Sequence, residues 1–177
     1  KEVEKKCMVL LDQKKTNSKE GLIVKNINKS FLKNEVLNNI NFEVHRSEAV
    51  GLLGPNGAGK TTCFHILTGL IKPNKGQISV DGIDITNLPI YIRSKIGIGY
   101  LPQEPSVFRG LTVEENLLSI LQYTEPNKSK RINLLEDLLK DFSLIEKRKQ
   151  NAMNLSGGQR RRVEIARTLC TKPNFIL

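Results

Sequence analysis

The chain has no tryptophan, and only 5% of its 177 residues are aromatic. That scarcity argues against the stacked aromatic platforms on which many single-strand nucleic-acid binders lay successive bases. Cysteine is sparse as well: Cys7, Cys63 and Cys170 are odd in number and show no paired spacing. A disulfide framework and a zinc site both lack support, and a reducing compartment is the expected setting. His45 and His65 stand alone, without metal-ligand spacing. Long hydrophobic runs are missing too. The longest near the start, Cys7-Met8-Val9-Leu10-Leu11, is too short for a signal core or a bilayer span. Any work at a membrane is therefore expected from its surface.

What the sequence does have is positive charge and patterned glycine. Lys and Arg number 28 against 18 Asp and Glu, a formal net charge of +10. This balance favours polyanionic partners, whether nucleic acid, an anionic membrane surface or nucleotide phosphates, without choosing among them. The length fits one domain with a sizeable core. The most informative stretch is Gly54-Pro55-Asn56-Gly57-Ala58-Gly59-Lys60-Thr61-Thr62, which fits the phosphate-binding loop pattern of glycine, four residues, then Gly-Lys-Ser/Thr. Glu48-Ala49-Val50-Gly51-Leu52-Leu53 before it reads as a buried strand, and Thr62–Leu70 after it as a helix with Phe64, Leu67 and Leu70 on one face. Without a Cβ, Gly54, Gly57 and Gly59 let the backbone turn sharply and bring N–H groups against phosphate oxygens. The following helix aims its unpaired amides and positive dipole end at the same point. In this pattern Lys60 bridges the β- and γ-phosphates, and the Thr61 hydroxyl holds Mg²⁺.

Along the chain, residues 1–20 read as a polar tail. Leu22 to Phe31 and Val36 to Val44 read as strands, the second alternating at period two, with the turn at Lys33-Asn34. Gly76–Val80 is a further strand ended by the turn pair Asp81-Gly82. Pro89–Lys95 reads as a short helix and Ile96–Leu101 as a strand. From Thr112 the period becomes helical. Thr112-Val113-Glu114-Glu115 is a capping box, opening a helix with Leu117, Leu118, Ile120 and Leu121. Lys128–Phe142 carries a stripe of Ile132, Leu135, Leu138, Leu139 and Phe142. Ser156–Thr171 is a third helix, with Val163, Ala166, Leu169 and Cys170 inward. Asn174–Leu177 reads as a last strand. Lys1 is not Met and the last apolar run ends without a stop signal, so both ends are expected to be cut. Strands first and helices later predict a sheet-containing nucleotide core with a helical insertion, of the α/β class.

A second glycine motif, Leu155-Ser156-Gly157-Gly158-Gln159, opens the third helix, with Ser156 as N-cap. It is another ready-made phosphate site on the same chain. The order of phosphate loop, a Tyr100-Leu101-Pro102-Gln103 stretch and Leu-Ser-Gly-Gly-Gln resembles the nucleotide-binding domain of ABC ATPases over residues 22–177. The fold implied is that of a P-loop NTPase of ABC ATPase type, with N-terminal antiparallel strands, a helical subdomain at about 104–168 and truncation at the Walker B strand. The resemblance implies ATP and Mg²⁺ as ligands. It places Phe31 where an aromatic stacks on adenine, although a plain core aromatic is the alternative and Tyr is more usual there. It gives Gln103 a contact with Mg²⁺ and the attacking water. It assigns Ser156, Gly157, Gly158 and Gln159 to the γ-phosphate of an ATP held by a second copy, in a head-to-tail homodimer. The general-base glutamate, the metal aspartate and a γ-phosphate histidine are expected past Leu177, so residues 1–177 alone are expected to hydrolyse poorly.

Tyr100 to Val113 and Arg160 to Arg167 are similar to ATPase subunits of bacterial lipopolysaccharide export transporters, which usually carry Glu where this chain has Gln159. What this implies is ATP hydrolysis at the cytoplasmic face of the inner membrane, with membrane subunits docked at about 105–116 and Phe108 as apolar anchor. No nucleic-acid partner is expected. The alternatives are a branched-chain amino-acid importer ATPase, a soluble ABC-type ATPase acting on nucleic acid or ribosomes, and a non-hydrolytic binding module. Arg160, Arg161 and Arg167 lie within helical reach of Glu164 and are expected to form a solvated charged face rather than a nucleic-acid patch.

Overall fold

The computed structural model describes residues 21–177. The expected tail at 1–20, with Cys7, lies outside the described residues. Two compact units are present, residues 21–98 with Leu177 and residues 99–176.

The first unit is built on an antiparallel sheet of order β2-β1-β3-β4. Its strands are β1 (Leu22–Phe31), β2 (Asn34–Val44), β3 (Lys75–Val80) and β4 (Ile83–Asp84). β1 is paired along both edges, and its inward side chains Leu22, Val24 and Ile27 are buried with Ile78 and Val80 of β3. The turn between β1 and β2 falls on Leu32-Lys33, one residue earlier than the sequence suggests, because Asn34 already pairs with Phe31. Asp81-Gly82 closes β3 onto β4 with φ of 48° and 76°, the two positive values that a tight hairpin demands. The period of β2 is not clean. Asn26 and Asn39 adopt positive φ and break the register, and side chains take over the lost ladder: Asn41 Oδ1 accepts from the Asn26 amide at 2.8 Å, and Asn28 Oδ1 from the Asn39 amide at 3.0 Å.

The stretch 48–53 is not the buried strand its composition predicts. It has no regular structure, and Val50, Leu52 and Leu53 are 50%, 40% and 93% exposed. Among the described residues no strand pairs with it, so there is no ladder to hold it extended and no second layer to cover it.

α1 (Lys60–Thr68) follows the glycine loop and buries Cys63, Ile66 and Leu67. The expected face of Phe64, Leu67 and Leu70 is rotated, and Leu70 is 52% exposed. Gly69 in the left-handed region ends the helix, with the Leu70 amide bonded back to the His65 carbonyl at 2.9 Å, so Leu70 has left the helical register. α2 (Ile90–Ile96) starts at Pro89 and sends Arg93 into the interior. The Arg93 guanidinium donates to the carbonyls of Ile66, Leu67, Leu88 and Thr86 at 2.7 to 2.9 Å, capping the end of α1 opposite the glycine loop. Burial pulls the Arg93 pKa down to about 10, with the Asp84 carboxylate opposing, so the group stays charged at neutral pH. Replacing Arg93 by Leu strips buried carbonyls of their donors. Urea denaturation is expected to show a loss of about 3 kcal/mol, and Arg93→Lys, which lacks the planar fork, to recover only part of it.

The second unit holds α3 (Val113–Thr124), α4 (Lys128–Asp141) and α5 (Gly157–Leu169). The Thr112–Glu115 capping box is formed, with the Thr112 amide donating to Glu115 Oε2 at 2.7 Å. Val113, Leu117 and Leu121 pack with Leu135, Leu139, Val163, Ala166 and Cys170 into one core. Ile132, expected in the α4 stripe, is 45% exposed, and Leu169 is only half-buried. A second sheet has two short strands, β5 (Ile98–Gly99) and β6 (Phe175–Ile176), so the strand expected over 96–101 shrinks to two residues. Cys63 and Cys170 are buried free thiols, and burial raises their pKa values to about 11 and about 12. Among the described residues no helix is long and apolar enough to cross a membrane.

Candidate functional site

In the first unit the sequence from Gly54 to Gly59 forms the expected glycine turn between the irregular segment 48–53 and α1. Gly57 and Gly59 both have φ of 84°, a conformation that side-chain-bearing residues rarely adopt. Gly59 has a second reason to be glycine: a Cβ there would lie 2.7 Å from Leu37 Cδ2 and 2.8 Å from the Val36 carbonyl oxygen. That contact sets the start of α1 against β2. The Cys63 amide bonds to the Gly59 carbonyl at 2.9 Å, so helical bonding begins there. The amides of Lys60, Thr61 and Thr62 precede the first amide that a helix can bond internally. No acidic residue sits in the first turn, so the positive end of the helix dipole is not neutralised from within.

Lys60 curls back over the loop. Its Nζ donates to the carbonyls of Gly54 and Pro55, each at 2.6 Å. Pro55, Asn56 and Ala58 are exposed around it, as is Thr61, and Thr62 is half-buried. An ammonium held by two solvent-facing carbonyls is readily transferred to a stronger acceptor such as a phosphate oxygen. Donor amides, a cation held only by loop carbonyls, an open mouth and a hydroxyl one residue on make a donor set that suits a triphosphate with its divalent cation.

Phe31 closes β1 and is 44% exposed, which rules out the core-aromatic alternative. The Lys29 ammonium lies 5.0 Å from its ring centroid, itself anchored on the Lys72 carbonyl at 2.9 Å.

The second unit carries the other candidate residues. Gln103 is exposed on the loop between β5 and α3. Ser156 and Gln159 close a reciprocal cap: the Ser156 Oγ accepts from the Gln159 amide at 3.3 Å, and the Ser156 amide donates to Gln159 Oε1 at 2.9 Å. Glutamine here does the capping work that Glu would do. Gly157 and Gly158 face open space, since a Cβ on either meets nothing within 4 Å. Nothing inside the described chain requires those two glycines.

The arginine run is not the solvated face expected from its spacing. Glu164 is buried, at 3% exposure, and accepts from the Ser106 amide at 2.6 Å. Arg161 donates to Glu164 Oε2 at 3.2 Å and to the Pro102 carbonyl at 2.8 Å. Arg167 donates to the Ser106 carbonyl at 2.6 Å and lies 4.7 Å from the Phe108 centroid. The cause is the neighbouring loop: residues 102–108 lie against this side of α5, and Arg161, Glu164 and Arg167 each find a backbone partner there, while Arg160 is half-buried. Within the stretch 105–116 expected to face a partner, Phe108, Arg109 and Gly110 are exposed, whereas Asn116 is buried. The Asn116 side chain clamps Phe108, accepting from its amide at 2.9 Å and donating to its carbonyl at 3.0 Å. Arg93, Asn116 and Glu164 are buried polar side chains holding backbone groups that sequence reading missed or misplaced.

Residues 37–177 match the ABC transporter family profile. The chain is 51% identical over 156 residues to an uncharacterised ABC transporter ATP-binding protein of Rhizobium meliloti (strain 1021), covering 88% of this chain and 58% of that protein. It is 45% identical over 157 residues to the lipopolysaccharide export system ATP-binding protein LptB of Haemophilus influenzae, covering 88% of this chain and 65% of that one. Among solved structures, MJ1267, an ATP-binding cassette of an ABC transporter, superposes with a TM-score of 0.80 at 30% identity, over 89% of this chain and 67% of that chain. The chain thus spans about three fifths of the length of these curated relatives.

Proposed function

From the premise that this chain belongs to the ABC transporter family of ATP-binding proteins, we propose that it is the part of an ATP-hydrolysing subunit that grips the nucleotide and couples it to membrane partners. The observation that carries this reading is the glycine loop with Lys60 resting on the Gly54 and Pro55 carbonyls. A triphosphate replaces those carbonyls as the acceptor of Lys60, and the amides of 57–62 bind the β- and γ-phosphate oxygens. Thr61 and Gln103 would hold Mg²⁺, which when bound neutralises charge on the transferred phosphoryl group. Gln103 also orients the attacking water. Phe31 offers its exposed ring as a platform for adenine. Ser156, Gly157, Gly158 and Gln159 present the N-terminus of α5 to the γ-phosphate of an ATP held by a second copy, in a head-to-tail homodimer. The open space in front of Gly157 and Gly158 supports this, because those glycines then make room for a ligand from outside the chain.

The protein acts at the cytoplasmic face of the inner membrane, and Phe108, Arg109 and Gly110 supply the docking surface for its membrane subunits. Lipopolysaccharide export is the favoured transport process, on the likeness to the Haemophilus influenzae LptB. The test uses the full-length protein. It is expected to release phosphate from Mg·ATP and to sustain growth when it replaces the ATPase in a strain depleted of lipopolysaccharide export. Phosphate release without growth would retain the ATPase and discard this substrate. A folded protein with no release would discard both.

A further inference from the structure

We propose that Glu164 is a positioning residue for the loop that carries Gln103. The inference rests on the ATPase reading above and adds to it a device linking the second glycine motif to the loop of Gln103. Three backbone points of the loop are fixed, and each fixing side chain comes from a helix. Arg161 of α5 holds the Pro102 carbonyl at 2.8 Å. Glu164 of α5 holds the Ser106 amide at 2.6 Å, and Arg167 holds the Ser106 carbonyl at 2.6 Å. Asn116 of α3 holds both backbone groups of Phe108. Between the first two points Gln103, Glu104 and Pro105 form a short exposed arch. Gln103 is therefore not on a free loop; its reach is set by two anchors on one helix.

Glu164 is the centre of this arrangement. One carboxylate oxygen takes the Ser106 amide, and the other takes Arg161, which in turn grips Pro102. A single buried side chain thus joins both ends of the arch. The same helix begins at the Ser156 cap, eight residues before Glu164, a distance of about 12 Å along the axis. Helices move as rigid rods, so any rotation of α5 carries the Ser156–Gly158 end and the anchors of Gln103 together. The packing of α5 into the core is carried by Val163 and Ala166, with Cys170 just past its end. What Glu164 adds is the tie to the loop.

The test compares Glu164→Ala and Glu164→Gln in the full-length protein; Gln keeps an acceptor oxygen for the Ser106 amide. Glu164→Ala is expected to speed hydrogen exchange at the Ser106 amide by about tenfold or more, while α3 and α4 amides keep their protection. The same variant is expected to lower kcat for ATP by about tenfold with the Kd for Mg·ATP changed by less than about twofold, because a misplaced group costs rate rather than binding. Glu164→Gln restores the protection and most of kcat. Arg161→Met, at a side chain 42% exposed and so tolerated by the fold, loosens the Pro102 anchor and lowers kcat in the same direction. Unchanged exchange at Ser106 in Glu164→Ala would overturn the proposal. So would parallel losses of kcat, nucleotide affinity and melting temperature that Gln does not relieve. A wild-type protein that does not hydrolyse ATP would defeat the ATPase reading instead, and the exchange data would still decide whether Glu164 holds the loop.

Discussion

Gly158→Asp in the full-length protein is expected to lower ATP turnover by about 10²–10³-fold, the usual loss when a preorganised charge-stabilising element fails, and to leave the fold intact. Stability is spared because a Cβ added at this position meets no atom within 4 Å, leaving open space for the side chain. A carboxylate in the first turn of a helix is also favourable, by about 0.3–1 kcal/mol. The same negative charge is placed where the γ-phosphate of the partner's ATP is to bind, and repels it. Mg·ATP binding to the glycine loop of the same chain should persist, since that loop lies on a different element. The readouts are phosphate release, nucleotide affinity and thermal melting on one preparation. Turnover close to wild type would reduce Ser156–Gln159 to a helix cap with no ligand.

Lys60→Ala carries a comparable expected loss for a different reason. Its ammonium makes bonds to two exposed loop carbonyls, which water can satisfy once the side chain is gone. Folding stability should therefore shift by no more than about 0.5 kcal/mol, as for other surface changes. Phosphate oxygens in the loop lose the Lys60 ammonium, and turnover should fall by about 10²–10³-fold. Affinity for Mg·ATP should fall with it, in contrast to Gly158→Asp. Lys60→Arg is not expected to rescue, because the planar guanidinium does not fit a site shaped for a point charge.

How much of this was legible in the sequence depends on how local the cause is. The glycine loop, the Thr112–Glu115 capping box, the Ser156 N-cap and the Asp81-Gly82 turn were readable, because each is decided by a few adjacent residues whose geometry admits few alternatives. The run 48–53 was misread, because apolar composition announces burial but not the neighbour that must provide it. The uneven period of β2 escaped for a related reason: Asn26 and Asn41, and Asn28 and Asn39, bond across the two strands, and their spacing along the chain does not reveal the pairing. Glu164 was the instructive miss. Its helical distance from Arg161 is what an exposed ion pair shows, and the sequence has no sign that residues 102–108 fold over that face. A hint was present in its place beside Val163 and two positions before Ala166, on a helix face otherwise committed to the core. Arg93 could have been suspected from its place on a short helix beside Ile92 and three residues before Ile96, on the face those isoleucines commit to the interior.

The most direct measurement is hydrogen exchange at the backbone amides of residues 57–62 in the full-length protein, with and without Mg·ATP. If these amides and Lys60 form the triphosphate cradle, nucleotide slows exchange there, and Lys60→Ala removes most of that slowing at the same nucleotide concentration. Exchange in this segment that ignores Mg·ATP, while the rest of the chain is demonstrably folded, would contradict the account.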